Sequence, residues 1–404
     1  MMRAYKFLMR PTVRQEQALG EMLRDHCWLY NGALQERRDA YRHPSKTNIK
    51  YGMQSGQLKE IRAFDPESQG RWSFSSQQAT LRRLDKAFAA FFRRIKAGEK
   101  PGYPRFRGVN WFDTVDFPKD GDGCRWDSTP HDPVTRVRFQ GVGHVKVHQH
   151  RAVAGNVKTV SVKREGRKWF VVLTAEQARP EPLTPTGSVV GIDLGIANFL
   201  AGSDGSFTAS PRHGRKAAAK LEAAQQALSR YPRRKAHDRT ANHQRAVEKV
   251  AKLHGRVRRQ RLDHAHKTAL TLVREHDFIA YEDLKIHNMS KAPAPKPDPG
   301  HPGGFLPNGA SSKAGLNRSI ADAGWGVFLA ILNAKAESAG REVMAVDPRN
   351  TSRQCPACGH TAKENRPTQA KFHCVSCGHN AHADTVGAIN VLRAGLVRRE
   401  AQPA

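Results

Sequence analysis

Three acidic residues each stand at a boundary in the chain. Asp193 directly follows the apolar run Val189-Val190-Gly191-Ile192 and precedes Gly195 by two positions. Glu282 directly follows Phe278-Ile279-Ala280-Tyr281, and Asp384 opens the stretch Ala383-Asp384-Thr385-Val386-Gly387-Ala388-Ile389-Asn390. Such short apolar runs read as strands buried on both faces of an α/β sheet. Carboxylates at their ends lie close to the open edge where sites form. Gathered there, three carboxylates suit hard divalent cations. Two such ions, roughly 3.5–4 Å apart, activate water and stabilise the leaving oxygen in phosphodiester hydrolysis. Any one acid alone is equally a helix cap or an ion-pair partner, Asp384 above all as a natural N-cap.

The cysteines carry a second chemistry. Cys355-x2-Cys358 is followed after fifteen residues by Cys374-x2-Cys377. That spacing closes a tetrahedral four-thiolate zinc site in a reducing compartment. Gly359 and Gly378 follow the two pairs, where a tight turn folds back around the metal. Four thiolates leave no open coordination position, so this zinc is structural. His360, His373, His379 and His382 lie near enough to compete as ligands, although the four cysteines suffice. Cys27 and Cys124 lack any metal-type spacing and read as idle or buried thiols.

Charge names the class of partner. Lys and Arg total 67 against 37 Asp and Glu, a net charge of +30 over 404 residues. A surface that repels itself so strongly calls for a polyanion, nucleic acid first. An anionic membrane is the weaker partner, because no run of about 18 apolar residues occurs. The start, Met1-Met2-Arg3-Ala4-Tyr5-Lys6, also lacks the apolar stretch of a secretory leader. A non-secreted, soluble protein is expected. Hydrophobic residues at 38% suffice for a globular core, which excludes wholesale disorder. The length allows two or three domains. Nothing resembles a heptad repeat, so a monomer is expected.

The elements that must position these groups follow from periodicity. Tyr5-Lys6-Phe7-Leu8 alternates like a short strand and stops at Pro11. From Thr12 to Tyr41 the pattern is helical, with Leu19, Leu23 and Trp28 at helical spacing. A second helix over about 75–97 carries a stripe of Leu81, Leu84, Ala87, Phe88, Phe91 and Phe92, read as core. Its opposite face holds Arg82, Arg83, Lys86, Arg93, Arg94 and Lys96, either solvated or set against nucleic acid. Val137-Arg138-Phe139, Val145-Lys146-Val147, Val160-Ser161-Val162 and Trp169-Phe170-Val171-Val172-Leu173 predict antiparallel hairpins, with Arg164-Glu165-Gly166-Arg167 as a turn. Pro180, Pro182 and Pro185 mark a linker. Over 211–263, sixteen Lys or Arg face four Asp or Glu. With a break at Tyr231-Pro232 and a seam of Val247, Val250, Leu253 and Val257, this predicts a helical hairpin with a basic outer face. The stretch 291–312, rich in Pro, Gly and Ala, reads as a mobile loop. A helix from Asn317 to Gly340 precedes the cysteine motif, and a last helix begins near Asp384.

In this order, several motifs resemble the TnpB family of transposon-encoded RNA-guided nucleases and the related compact type V CRISPR effectors. They are Gly191-Ile192-Asp193-Leu194-Gly195, Tyr281-Glu282-Asp283-Leu284, the zinc ribbon with Asp384 after it, and Asn390. Tyr103-Pro104-Arg105-Phe106-Arg107, Asp263-x2-His266-Lys267, Asp322-Ala323-Gly324-Trp325-Gly326 and Thr351-Ser352-Arg353-Gln354-Cys355 fit the same family. The resemblance spans essentially the whole chain and is firmest over 189–391. It implies that Asp193, Glu282 and Asp384 are RuvC carboxylates holding two Mg²⁺, beside a structural Zn²⁺ on Cys355, Cys358, Cys374 and Cys377. It implies a guide RNA and a target double-stranded DNA as partners, with a short motif beside the target read by the protein. By position, Tyr51 and Gln78 match residues that contact that motif. Further nucleic-acid contacts are expected at Arg82, Arg105, Arg107, Arg233, Arg234 and Lys267. Relatives carry Asn-Ala two residues after the third Asp, whereas this chain has Val386-Gly387, a departure that bears on the packing of the last helix.

The expected fold is α+β and multidomain. Residues 1–10 supply the first strand of a wedge-like antiparallel β-barrel, 11–108 an inserted helical recognition region, and 109–185 the rest of the barrel. Residues 186–404 form a RuvC-like, RNase H-like α/β nuclease domain, with the zinc ribbon at about 350–380 and the loop at 291–312. The expected activity is metal-dependent, RNA-guided DNA cleavage in a prokaryotic cytoplasm, at the nucleoid. A nuclease-silent RNA-guided DNA-binding protein and a guide-free transposase accessory DNA-binding protein are the alternatives. The presence of all three acids favours the active enzyme.

Overall fold

A computed structural model describes residues 1–126, 134–234, 238–301 and 303–401. The joint of the basic hairpin at 235–237 and position 302 of the 291–312 loop lie outside the described residues. The chain divides into two compact units, Met1–Arg179 and Pro180–Ala404. No helix among the described residues is long and apolar enough to cross a membrane.

In the first unit, strand β1 (Met2–Arg10) turns alternate residues inward, burying Tyr5, Phe7 and Met9. Helix α1 (Val13–Arg42) starts in a capping box, Thr12 with Gln15, that satisfies two backbone donors reciprocally. Helices α2 (Tyr51–Phe64) and α3 (Phe74–Lys96) complete the insert. Strands β2 (Thr114–Phe117), β3 (Cys124–Trp126), β4 (Arg136–Phe139), β5 (Gly143–His148), β6 (Asn156–Glu165) and β7 (Lys168–Glu176) follow. With β1 they form one antiparallel sheet ordered β2-β6-β7-β1-β5-β4-β3. Its end strands β2 and β3 are not paired with each other, so the expected barrel is an open, curled sheet. One core joins Phe7, Leu23, Tyr30, Trp72 and Leu84 to Val115, Phe117, Val160 and Val171.

The structure adds to the sequence reading of this unit and corrects it. Helix α2 and strands β2 and β3 went unseen. In α2, Gly52 and Gly56 interrupt a pattern that buries only Gln54 and Leu58. The α3 stripe is core only in part: Leu81 and Leu84 are buried and half-buried Phe88 packs against that core, but Phe92 is 54% exposed. Trp28, at helical spacing with the buried Leu19 and Leu23, is itself 53% exposed beneath the Arg24 guanidinium.

The second unit is built on strands β8 (Val189–Asp193), β9 (Asn198–Gly202) and β10 (Phe207–Ala209). Helices α4 (His213–Ser229) and α5 (Ala241–Glu275) form the basic hairpin. After β11 (Phe278–Glu282) come α6 (Ile286–Met289), the short pair β12 (Lys296–Pro297) and β13 (Phe305–Leu306), and helices α7 (Ala310–Ala323) and α8 (Trp325–Ala339). Strand β14 (Glu342–Val346), ribbon strands β15 (Lys371–His373) and β16 (Asn380–His382), and helix α9 (Ala383–Glu400) complete it. The main sheet is ordered β10-β9-β8-β11-β14, with β8, β11 and β14 parallel. Helices cover both of its faces. Val190, Ile192 and Ile279 pack with α5 and α8, while Phe278, Ala280, Met344 and Val346 pack with Val391. That double burial is why these strands read as unbroken apolar runs.

Two expectations change here. The predicted 317–340 helix is two helices, because Gly324 adopts φ +71 and both ends α7 and begins α8. The 291–312 stretch is not wholly irregular, since it holds the β12–β13 ladder and the first turn of α7.

Candidate active site

Strand periodicity aims the acids. On β8, Val190 and Ile192 face α5 and α8, so Gly191 and Asp193 face α9. On β11, Phe278 and Ala280 face α9, and Glu282 shares their parity. The strands run parallel with Tyr281 opposite Ile192, which puts Glu282 beside Asp193 at the same sheet edge. Asp384 lies in the first turn of α9. It is not the N-cap; His382 is, its Nδ1 accepting from Asp384 N at 3.2 Å.

Glycines let the helix lie this close. A Cβ at Gly191 would collide with Ala388 O and Leu392 N of α9. At Gly387 a Cβ would stand 3.1 Å from Asp193 Oδ2, while Val386 beside it is fully buried. The Val386-Gly387 departure thus falls on the helix surface that meets Asp193.

The electrostatics are those of crowded, poorly hydrated like charges. Burial, reinforced by the neighbouring Glu282 and Asp384 carboxylates, pushes the Asp193 carboxyl up to about 7. Burial also raises Glu282, against the pull of a hydrogen bond from Thr351 and of Arg366. Arg366 Nη2 sits 3.2 Å from Asp384 Oδ1 and donates to Gln369 O at 2.9 Å. A cavity of about 220 Å³ opens here, lined by Asp193, Asp384, Arg366, Gln369, Trp325 and the 194–197 turn. Oxygen donors with too little positive charge are a fitting set for hard divalent cations.

The four ribbon sulfurs lie within 4.8 Å of one another, the one such compact ligand set among the described residues. Cys355 and Cys377 stand 3.6 Å apart, as do Cys358 and Cys374. A zinc–sulfur bond of about 2.3 Å implies edges of about 3.8 Å in a tetrahedron, so the donors fit zinc. The two knuckles match: Gly359 N donates to Cys355 O and Gly378 N to Cys374 O, each at 2.9 Å, with φ +77 and +72 at the glycines. Buried Asn365 ties the loops together, donating to Arg353 O and His360 O and accepting from Val375 N.

Sequence reasoning missed Arg366, Gln369 and Thr351 as neighbours of the acids. Thr351 carried one signal, its place in the Thr351–Cys355 motif; Arg366 and Gln369 carried none.

The expected nucleic-acid contacts fall in several places. Tyr51, Gln78 and Arg82 come together across α2 and α3: Arg82 lies over the Tyr51 ring at 5.3 Å, and Gln78 donates to Ser55 at 3.0 Å. Arg105 and Arg107 are exposed on a segment strapped to α1, where Asn31 bonds both the N–H and the carbonyl of Arg107. In the second unit, Arg233 and Arg234 are exposed after α4, and Lys267 pairs with Asp263 on the outer face of α5. None of the three belongs to the carboxylate cluster. Asp322, from another family motif, caps α4 by accepting from Gly214 N and Arg215 N and binds Arg261.

The chain is similar to known proteins along its length. The OrfB_IS605 family, described as a probable transposase, matches residues 170–292. A Cas12f1-like TNB domain matches 325–391, and a helix-turn-helix domain matches 1–46, although Val13–Arg42 is one uninterrupted helix here. The putative RNA-guided DNA endonuclease InsQ of Escherichia coli (strain K12) is 33% identical over 396 residues, 98% of this chain and 92% of its own. A putative RNA-guided DNA endonuclease of Streptomyces pristinaespiralis is 29% identical over 402 residues, 98% of this chain and 89% of its own. Among solved structures, the mini-RNA-guided endonuclease CRISPR-Cas_phi3 aligns over 98% of this chain and 92% of its own, at a TM-score of 0.47 and 11% identity.

Proposed function

Because the chain belongs to the TnpB family of RNA-guided DNA endonucleases, we propose that Asp193, Glu282 and Asp384 form its cutting centre. The protein is an RNA-guided DNA endonuclease. One arrangement carries the assignment of the site: two acids on the α9 face of adjacent parallel strands, and a third in the first turn of the helix lying on that face. The finer reading is two Mg²⁺ at these acids and a structural Zn²⁺ at Cys355, Cys358, Cys374 and Cys377. Bound magnesium would activate water and stabilise the leaving oxygen.

The chain's own residues do the rest. The carboxylates give up the proton that Asp193 holds near neutral pH and supply oxygen donors. Arg366, on the cavity wall, offers N–H donors to a phosphate oxygen of the strand being cut. Trp325, Leu194 and Ile196 form an apolar wall on the same cavity. With one such centre, the two DNA strands are cut in turn.

Basic surface holds the guide RNA through phosphates and shape. Tyr51, Gln78 and Arg82 present an aromatic face, an amide and a guanidinium together, a chemistry suited to reading a short motif in duplex DNA. Base pairing with the guide reads the remainder, the division of labour described for a Cas9-type enzyme. Arg105, Arg107, Arg233, Arg234 and Lys267 contact phosphates; the exposed Lys267–Asp263 pair exchanges easily for one. The protein acts as a single chain in a prokaryotic cytoplasm.

The test is Asp193→Ala, assayed for Mg²⁺-dependent cleavage and for guided DNA binding, with the co-purifying RNA sequenced. Lost cleavage with intact binding and one abundant structured RNA are the expected results. Retained cutting would sink the active-site assignment. Wild-type protein that binds but cuts in neither Mg²⁺ nor Mn²⁺ would mark a nuclease-silent binder.

A further inference from the structure

The zinc ribbon sends a side chain to each of two acids. Arg366, which directly follows the buried ribbon anchor Asn365, reaches Asp384. Thr351, four residues before the first zinc-ligand cysteine, reaches Glu282: its Oγ1 donates to Oε1 at 2.5 Å. The same Oγ1 lies 3.0 Å from Pro348 O. A hydroxyl has one proton, and the nearer, negatively charged carboxylate takes it. At 6% exposure, Thr351 makes this bond out of reach of bulk water.

Thr351 is itself held. Asn390, on α9, divides its two amide protons between Thr351 O and Gln354 O, each at 2.7 Å. Arg393, one turn further along, donates to Pro356 O at 2.6 Å. The segment entering the first knuckle is thereby laid along the helix that carries Asp384. Cys355, the residue after Gln354, is fully buried in that knuckle, so the zinc ligand and the Glu282 contact belong to one stiff piece of chain.

We propose that Thr351 is a positioning residue for Glu282: its hydroxyl fixes the carboxylate in the orientation that receives a divalent cation, and the folded ribbon fixes Thr351. A carboxylate with one oxygen tied offers the other along a defined direction; an untied one pays rotamer entropy each time it binds. Partners of metal ligands commonly change metal affinity 10–100-fold when removed. The inference rests on Glu282 being a metal ligand.

The experiment separates hydroxyl from shape. Thr351→Val keeps the branched side chain and loses the donor; Thr351→Ser keeps the donor and loses a methyl. Full-length, zinc-loaded proteins are titrated with Mn²⁺ by calorimetry, with Asp193→Ala as the reference for binding at the acids. Thr351→Val is expected to weaken Mn²⁺ binding by about tenfold or more while its zinc content stays at the wild-type level. Thr351→Ser is expected to bind as wild type. In cleavage assays Thr351→Val then needs more Mn²⁺ for half-maximal rate and recovers at saturation. Wild-type affinity in Thr351→Val overturns the proposal. So does Thr351→Ser as the weaker of the two, since the methyl would then be what matters. If Asp193→Ala binds Mn²⁺ as tightly as wild type, the carboxylate assignment fails first, and separately.

Discussion

Asp193 concentrates the electrostatic conflict of the second unit. Its carboxyl is raised from 3.8 to about 7 by burial and by two neighbouring acids. Across that window the metal-free folded protein keeps a proton that the unfolded chain has released. This residue's contribution to stability therefore falls as pH rises from about 4 to about 7 and is at its lowest above that. Asp193→Asn removes the penalty without changing shape. It is expected to raise the melting temperature of magnesium-free protein at pH 8, to have little effect on it near pH 4, and to abolish cleavage at pH 8. A thermal shift of the same size at the two pH values would show that charge is not its cause. The other residue-scale case is Arg366. Arg366→Ala is expected to lower single-turnover cleavage by about 10²-fold, the usual cost of one lost donor to developing charge, with target binding unchanged in a gel-shift assay.

Elements meet here through glycine and through the cysteine ribbon. Gly191 places β8 directly under α9, and the atoms a Cβ would strike, Ala388 O and Leu392 N, are backbone. Neither can rotate away, so Gly191→Ala is expected to destabilise by about 3 kcal/mol, as overpacking does, read by denaturant unfolding. Gly20 in α1 is the contrast: nothing lies within 4 Å of its would-be Cβ. Gly20→Ala is expected to stabilise the first unit by about 0.5–1 kcal/mol through helix propensity. The ribbon is expected to depend on a metal at its four cysteines, because its loops bury little more than Cys355, Phe372 and Cys374. Cys355→Ser is expected to lose zinc in a metal analysis and to lose cleavage, while RNA binding in a filter assay persists. Cleavage at the wild-type rate by a zinc-free variant would uncouple the ribbon from the acids.

At the scale of the molecule the governing quantity is the net charge of +30. Association with RNA is expected to weaken steeply with salt, by 10³-fold or more between roughly 50 and 200 mM. Each phosphate contact removed should flatten the log–log slope by about 0.7–0.9. Replacing Arg105 and Arg107 together by Ala therefore tests their assignment: a flatter slope marks phosphate contacts, and weaker binding at an unchanged slope marks another role.

Much of this was legible because it is local. Val189–Ile192 and Phe278–Tyr281 announce strands buried on both faces, period two aims Asp193 and Glu282 the same way, and the spacing of the paired cysteines announces that their sulfurs gather. Helix α2 was not legible, since two glycines and two buried residues make no stripe. The exposure of Phe92 was hidden too: its helical spacing is sound, and only the tertiary fold reveals that Tyr103 packs on Phe88 and Phe91 while Phe92 stays exposed. The single helix expected over 317–340 broke at a glycine that sequence permits but does not require to turn left-handed. Thr351 lies 69 residues from Glu282, and Arg366 lies 18 from Asp384. Sequence by itself determined which residues could bind metal and which elements would carry them. The tertiary structure alone decided which neutral and basic side chains stand against the acids, because a hydrogen bond depends on distances set by a cysteine-rich loop packing on a helix, and no periodicity within either segment encodes that distance.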